Sequence, residues 1–576
     1  MFKQLKLSGL MVLMTITAFS QGFLPADAGM VDVGRSSVAW GDYDNDGDLD
    51  VLLTGDHGTG PYVASIYRND AGEFTNINAG LAGIYNSSVA WGDYDNDGDL
   101  DILACGRNIN NSKTYIYQNN NGVFVQKEAG LPVIGSDGAV AWGDYDGDND
   151  LDILIAGAFS CRILNNNTGV FTDINAVLPA VSNCWVNWGD FDNDGDLDVF
   201  VMGDLGGILM SAIYRNSGGI FSEVPQAAIT PLAGGSSSWC DFDHDRDLDL
   251  LITGFNEYLE PQTSIFRNLG NMVFENVYPG LIGASLGTAA WGDYDNDGNT
   301  DILLTGQNAG CGTLSSIVYH NDGNTNFTDI NAPLDGAERG SGAWGDFDND
   351  GDLDILISGI TSAGTAKTRL YSNVLGSNTF CVNQPPSIPD GLSMYIDGYT
   401  VYPGWLDAAD DHTPANGLTY NIRIGTSSGA QNILSAMSNP ANGKRLLPQA
   451  GNTGNNTDWT VHLPDGTYYW SVQAIDHTFA ASAFAPEQQF TLLNVGETEN
   501  EIAGIHVYPN PVCDKLLITA NDPVAVEIIY SDGRVFKASK PSSKTISFDT
   551  KNWHSGVYIL KINDRNQVVF RKIIKI

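Results

Sequence analysis

The stretch Trp40-Gly41-Asp42-Tyr43-Asp44-Asn45-Asp46-Gly47-Asp48-Leu49-Asp50 decides how the chain is read. Numbered from Asp42, carboxylates stand at positions one, three, five, seven and nine, with Gly47 at position six. Like charges this dense repel: one pair at ~4 Å costs on the order of 4 kcal/mol near a protein surface. A hard divalent cation removes that penalty, and calcium takes roughly six to eight oxygen ligands. Alternating positions aim their side chains at one centre, and the glycine permits the sharp turn between them.

The motif recurs. Six further copies begin at Trp91, Trp142, Trp188, Trp239, Trp291 and Trp344, at successive spacings of 51, 51, 46, 51, 52 and 53 residues. A small-residue strand precedes each copy, as at 36–39, and an apolar strand ending in glycine follows, as at 51–55 and 355–359. A third strand follows, as at 66–69 or 213–216, and a fourth opens at Phe74, Phe124, Phe171, Phe221, Phe274 or Phe327. Four short strands per ~50 residues describe one blade of a propeller. The copies predict an all-β chain with a seven-bladed β-propeller over residues 21–380, in preference to a linear solenoid. The chain ends decide between the two. Residues 23–40 match 74–91 in register, Gly29 against Gly80, while the last copy trails off at 371–380. A blade shared between both ends would hide the sheet edges.

The candidate metal ligands are Asp42, Asp44, Asp46, Asp48 and Asp50 in the first copy, and Asp93, Asp95, Asp97, Asp99 and Asp101 in the second. They are Asp144, Asp146, Asp148, Asp150 and Asp152 in the third, and Asp190, Asp192, Asp194, Asp196 and Asp198 in the fourth. The fifth has Asp241, Asp243, Asp245, Asp247 and Asp249, and the sixth has Asp293, Asp295, Asp297, Asn299 and Asp301. The seventh has Asp346, Asp348, Asp350, Asp352 and Asp354. An EF-hand needs a bidentate Glu at position twelve, which is Leu53 here, inside a strand. Position nine must therefore supply the closing carboxylate, with position seven contributing its backbone carbonyl. The third copy has Asn149 at the glycine position, which tolerates a left-handed backbone. The fifth has Arg246 there, and its charge beside the metal predicts the weakest site. Asn299 is harmless if only its carbonyl binds.

These loops and strands resemble the FG-GAP or VCBS family, whose blades also build integrin α-subunit propellers. The resemblance covers about residues 21–380 and implies a calcium ion in a hairpin loop of each blade, up to seven in all. Carried over residue by residue, it assigns side-chain ligands to positions one, three, five and nine. The loops are read as folding staples, not catalytic centres. The recurring tryptophans are read as packing, with sugar stacking as the alternative.

The formal charge of -41 excludes nucleic acid, which needs a basic face. Loop aspartates make up 34 of the 69 acidic residues, and seven calcium ions would bring the charge to -27. Lys3 and Lys6 before an apolar run at 7–19, with Ala18 and Ser20, predict a signal peptide at 1–20. That run is short for a membrane span, and no later stretch reaches ~18 apolar residues, so no transmembrane segment is expected in the mature chain. The seven cysteines are irregularly spaced without a CxxC pair, and are read as buried thiols with one or two bridges.

Composition changes after Phe380. Residues 381–495 comprise a Pro-rich linker and a segment that resembles a fibronectin type III-like sandwich, on Trp405, the run at 418–425 and the alternating run at 466–476. His412 and His477 are read there as surface loop residues. Residues 496–576 turn basic, with eleven Lys or Arg in the last eighty positions. Their opening Val507-Tyr508-Pro509-Asn510-Pro511 and ending Arg571-Lys572-Ile573-Ile574-Lys575-Ile576 resemble a type A sorting domain of the type IX secretion system. That implies the secretion machinery as a partner and a secreted or outer-surface location. The expected function is a calcium-binding adhesion or binding protein with an unknown extracellular glycan or protein ligand. The alternative is a calcium-dependent polysaccharide lyase or glycosidase. No Ser-His-Asp set, HExxH or phosphate loop is present, so no enzyme is expected.

Overall fold

Each repeat folds as one small antiparallel sheet in the computed structural model of the chain. It describes residues 22–374 apart from 59, 136, 159, 271, 309–312 and 324, and residues 383–492. In the tail it describes 506–508, 512, 515–520, 523–530, 535–539, 544–551, 553, 556–564 and 567–575. The expected signal peptide, Cys311, Cys381, Cys513 and Pro509-Asn510-Pro511 lie outside the described residues. Regular structure among the described residues is strand throughout, apart from a 3-10 turn at Pro225–Ala227.

The first sheet orders Gly34–Gly41, Asp50–Asp56, Val63–Asp70 and Glu73–Asn76 as they occur in the chain. Four more sheets repeat the pattern over 85–127, 139–173, 182–223 and 237–276. The sixth and seventh split their first strand, into Ala284–Ser285 with Ala289–Gly292 and Ala337–Glu338 with Gly342–Gly345. The seventh takes its fourth strand from the start of the chain: Phe23–Ala26 pairs antiparallel with Ala366–Asn373, Phe23 opposite Asn373. This is the pairing that the register of 23–40 on 74–91 predicts.

The second strand of each sheet is apolar at consecutive residues because it is covered on both faces. Val51, Leu52 and Leu53 are all fully buried. The tryptophan of each copy packs on the preceding sheet, where the residue before the loop is glycine in six copies. A Cβ added at Gly41 would come within 2.8 Å of Trp91. The aromatic at position two stacks on that same indole: Tyr94 and Trp142 lie 6.0 Å apart with planes 2° apart. Trp40, Trp91 and Trp142 are buried, which makes them core. Sheet seven meets sheet one in the same way, since a Cβ on Gly345 would fall 2.8 Å from Trp40.

A second set of contacts, at six of the seven sheet junctions, runs along the first strands. Arg35, Asn86, Asp137, Asn183, Gly234, Leu286 and Arg339 all adopt left-handed backbone, at spacings equal to those of the loops. Backbone amides beside them link sheet to sheet: Asp137 to Asn86 O, Cys184 to Asp137 O, Gly234 to Asn183 O, Leu286 to Gly234 O, Arg339 to Leu286 O, and Ser36 to Arg339 O.

Residues 383–492 form two three-stranded antiparallel sheets. One contains Ser393–Asp397, Thr400–Gly404 and Val461–His462, the other Thr419–Gly425, Gly466–Ile475 and Gln488–Leu492. Val401, Trp405, Tyr420, Trp459, Trp470 and Val472 share one core between them. This region belongs to the same compact unit as the seven sheets. Residues 494–576 are a separate unit. Its sheets contain His506–Tyr508, Lys515–Thr519 and Thr545–Asp549, and Ala525–Tyr530, Val535–Ser539, Gly556–Asp564 and Gln567–Lys575. Leu516, Ile518, Val526, Ile528, Leu560 and Ile562 are buried there. Cys105, Cys161 and Cys184 are buried free thiols, and Cys240 is free and half-buried.

Candidate metal centres

Each motif forms the hairpin between the first and second strands of its sheet. In the second copy, Asp93 at position one accepts from the amides of Asp97 (3.0 Å) and Gly98 (2.9 Å), which folds the loop around its carboxylate. Asp101 at position nine accepts from Asn119 N (2.7 Å) and Tyr94 N (3.2 Å), which ties the loop to the third strand. Asp97 at position five accepts from Asp99 N at 2.9 Å. The same bonds recur at Asp42 and Asp50, Asp190 and Asp198, Asp293 and Asp301, and Asp346 and Asp354. The turn needs left-handed backbone at position six, which Gly98 supplies at φ +94°; Asn149 takes it at φ 74° and Arg246 at φ 76°.

These bonds bring positions one, three and nine together. Asp42, Asp44 and Asp50 each offer an oxygen within 4.8 Å of the others, as do Asp93, Asp95 and Asp101, and Asp144, Asp146 and Asp152. In the fourth loop the group is Asp190, Asp192 and Asp194, and in the sixth it is Asp295, Asp297 and His320. Burial is the first cause of the electrostatic strain and neighbouring carboxylates add to it. Asp50, Asp101, Asp152 and Asp301 are pushed up to about 9, and Asp249 to about 10. At position one, Asp42 and Asp93 rise to about 6 and Asp144 and Asp293 to about 7, again by burial first. Asp190, Asp198, Asp346 and Asp354 are raised strongly for the same reasons.

The Oδ1 atoms of Asp95, Asp144, Asp192, Asp243, Asp295 and Asp348 are buried and have no hydrogen-bond partner. Asp144 as a whole is only 2% exposed. Buried orphan carboxylate oxygens beside further carboxylates, with oxygen donors nearly throughout, are the donor set that a hard dication takes. The residues present fit calcium. Positions one, three, five and nine would hold it, neutralising charge without adding chemistry.

Position seven does other work with its side chain. Asp99 accepts from Asn45 Nδ2 of the preceding loop (3.2 Å) and from Asn121 N of its own sheet (3.0 Å). Asp48, Asp150 and Asp247 take the same neighbouring asparagine, and Asp196 takes an amide of its own sheet, Gly218 N. Asn299 instead bonds back to Asp297 within its own loop. The position-seven carboxylate thus links one sheet to the next.

Two sets of residues escaped sequence reasoning. A buried asparagine near the end of each third strand reaches back to the preceding loop: Asn69 Nδ2 donates to Phe347 O (2.8 Å), Asn119 to Tyr43 O (2.9 Å) and Asn166 to Tyr94 O (2.9 Å). The residue before it faces the position-three carboxylate. It is Gln118 on Asp95, Asn165 on Asp146, Arg215 on Asp192, Arg267 on Asp243, His320 on Asp295 and Ser372 on Asp348. Their signal was the recurrent Asn 14 to 20 residues beyond position nine.

The loops are covered by residues 383–492. Ser435 Oγ donates to Asp144 Oδ2 (2.7 Å), Asn456 Nδ2 to Asp241 Oδ2 (2.9 Å), and Lys444 bonds Gly98 O. His462 N donates to Asn193 O, and Asp93 N to Leu446 O. Arg246 grips Asp458 through Nε and a terminal nitrogen, both at 2.6 Å. Its charge is therefore drawn toward the covering region, a placement the sequence reading of this loop did not foresee. The reading of His477 as a surface residue is corrected too. It is 6% exposed against the seventh loop, burial lowers it to about 4, and its carbonyl accepts from Asp346 N. His412 is also mostly covered and lies beside Asp411 at 3.0 Å. Between the loops, their tryptophans and the covering region lies a cavity of about 640 Å³ lined by Trp188, Trp239, Leu434, Met437, Trp459 and His477.

Among the described residues, no helix is long and apolar enough to cross a membrane. The FG-GAP-like repeat matches residues 42–104, 241–304 and 293–357. The C-terminal sorting domain of a secretion system matches residues 506–576. No curated protein matches the chain. Among solved structures, a rhamnogalacturonan lyase from Bacillus licheniformis is similar at 15% identity and TM-score 0.36, over 61% of this chain and 74% of that one. PorZ, a surface component of the type IX secretion system of Porphyromonas gingivalis, is similar at 12% identity and TM-score 0.22, over 94% and 81%. The extracellular domain of a one-component system from B. thetaiotaomicron is similar at 9% identity and TM-score 0.35, over 96% and 98%. At those scores the three structures carry no argument about function. The chain carries FG-GAP-like repeats and a type IX sorting tail, and that tail marks it for the secretion machinery and for export to the cell surface or beyond.

Proposed function

We propose that this chain is a calcium-stabilised, seven-bladed β-propeller that acts as an adhesion or binding protein at the cell surface or outside the cell. Two sets of contacts support the ring: the packing of each tryptophan on the preceding sheet, closed by Gly345 on Trp40, and the backbone bonds at six of the seven junctions, including the one that Ser36 N donates to Arg339 O. Residues 383–492 are read as a fibronectin type III-like sandwich over its loop end, and the tail as a second small sandwich.

The observation that carries calcium is the set of buried, unpartnered position-three oxygens beside carboxylates that burial makes costly to ionise. Because residues 383–492 cover the loops, these ions fit a structural role better than a catalytic one, and the chain is read as a binder and not as a lyase or glycosidase. The hairpins between second and third strands lie at the other end of each sheet. They expose Ile109, Leu205, Ile208, Tyr258 and Leu259, which supports that end as the face for an extracellular glycan or protein.

Calcium titration of the mature chain followed by a glycan array with and without calcium tests this reading. Saturable binding of several ions and calcium-dependent capture are expected. Absence of calcium binding at millimolar concentration would refute it. A reporter fused to residues 496–576 should reach the cell exterior, and its retention in the periplasm would count against the role given to the tail.

A further inference from the structure

The fourth loop keeps the repeat's motif without a flaw, Asp190-Phe191-Asp192-Asn193-Asp194-Gly195-Asp196-Leu197-Asp198. Its surroundings differ. Arg215, from the third strand of the same sheet, lays its guanidinium across two of the carboxylates that gather there. Nε lies 2.6 Å from Asp192 Oδ2, and a terminal nitrogen donates to Asp194 Oδ2 at 2.6 Å. Asp192 and Asp194 are two of the three residues whose oxygens converge in this loop.

The equivalent residue in the other sheets is uncharged, held elsewhere or farther from the carboxylates; in the sixth, His320 also faces positions three and five, at 3.2 Å from Asp295 and 3.5 Å from Asp297. In the second, third and seventh it is uncharged: Gln118, Asn165 and Ser372. In the first, Arg68 is held by Asp70 at 2.6 Å. In the fifth, Arg267 bonds Glu275 at 2.6 Å and stands 3.7 Å from Asp243. Only Arg215, among these arginines, spans positions three and five of its own loop.

We propose that Arg215 is a built-in counter-ion that occupies the place of the divalent cation in the fourth loop and sets that loop apart as the weakest calcium site, in place of the fifth, whose Arg246 pairs with Asp458. The proposal rests on the calcium reading above. Arginine keeps its charge at any physiological pH, and its fork matches carboxylate oxygens. An incoming calcium ion must displace one charge-assisted hydrogen bond, to Asp194, and one close ion pair, to Asp192, to reach the same oxygens, which weakens binding by roughly tenfold or more. Arginine brings one positive charge where calcium brings two, so the fourth loop is partly neutralised without metal. The motif alone therefore does not rank the sites; the charge of one strand residue does.

The experiment measures bound calcium per chain by equilibrium dialysis and metal analysis on the mature protein across free calcium from micromolar to millimolar. Melting is followed in parallel with calcium and with chelator. Arg215→Gln is expected to gain one ion at free calcium where the parent loop stays empty, with at least a tenfold affinity shift at that site. It is also expected to melt lower than the parent in chelator and higher in calcium. Gln118→Arg is expected to lose one ion, and it decides the matter if Arg215→Gln does not fold. Equal stoichiometry and affinity in the parent and both variants, with ions bound, would overturn the counter-ion and leave the calcium reading standing. No calcium in the parent or either variant would overturn the calcium reading itself, and the counter-ion with it.

Discussion

Removing calcium should reverse the pH dependence of stability. Asp50, Asp101, Asp152 and Asp301 are raised from 3.8 to about 9 in the folded chain, first by burial and then by their neighbours. An aspartate raised in this way adds stability that is fully present below about pH 4 and is lost as pH climbs toward 9, because the folded state holds a proton the unfolded chain releases. Each such aspartate costs about 1.4 kcal/mol per pH unit inside that window. Between pH 5 and pH 7 one site therefore loses about 3 kcal/mol, and two or three together match a typical total stability of 5–15 kcal/mol. Calcium bound as proposed would remove the penalty by taking the deprotonated form, adding about 3 kcal/mol per site at a hundredfold excess over its dissociation constant. The assay is urea unfolding at pH 5, 6, 7 and 8, once after exhaustive chelation and once in 5–10 mM calcium. Metal-free midpoints should fall steeply with pH, and calcium-loaded midpoints should hold or rise. Metal-free stability that rises with pH, or identical profiles, would refute the reasoning.

Other perturbations isolate separate contacts. Asn119→Ala removes the donor to Tyr43 O and strands a buried carbonyl, for about 1–3 kcal/mol of lost stability in thermal or urea unfolding. Gly195→Ala places a side chain at φ +95° against the backbone of Ile433 and should cost more than 1 kcal/mol; Gly29→Ala, whose surroundings are open, should cost less. A double-mutant cycle on Arg246 and Asp458, both partly exposed, should return a coupling of no more than about 1 kcal/mol. A coupling of several kcal/mol would mean the pair is shielded from water.

Repetition made much of the fold legible. Seven loops at near-constant spacing exposed the strands around them, and the register of residues 23–40 on 74–91 anticipated the pairing of Phe23 with Asn373. The glycine before the loop and the aromatic at position two explain each other only in space, because both meet the tryptophan of the next copy. What repetition could not reveal is what occurs once. Ser435, Asn456 and Asp458 reach the loops from a region with a different pattern, so nothing in the repeats announces them. His477 reads as a loop residue until the seventh hairpin is laid over it. Arg215 is invisible for another reason. Its side chain alternates to the loop-facing side of an ordinary strand, and only the hairpin's return places it against Asp192.

The pairing of Phe23–Ala26 with Ala366–Asn373 also fixes a sequence of events in time. The first described strand waits for the last strand of the seven sheets, so its edge partner is missing until residue 373 has been made. Six sheets can assemble from neighbours close along the chain, but the seventh closes one of the longest loops in the molecule, and closure of this kind is slow. An amino end trimmed past Phe23 would leave the seventh sheet with a raw edge, open to pairing with another chain.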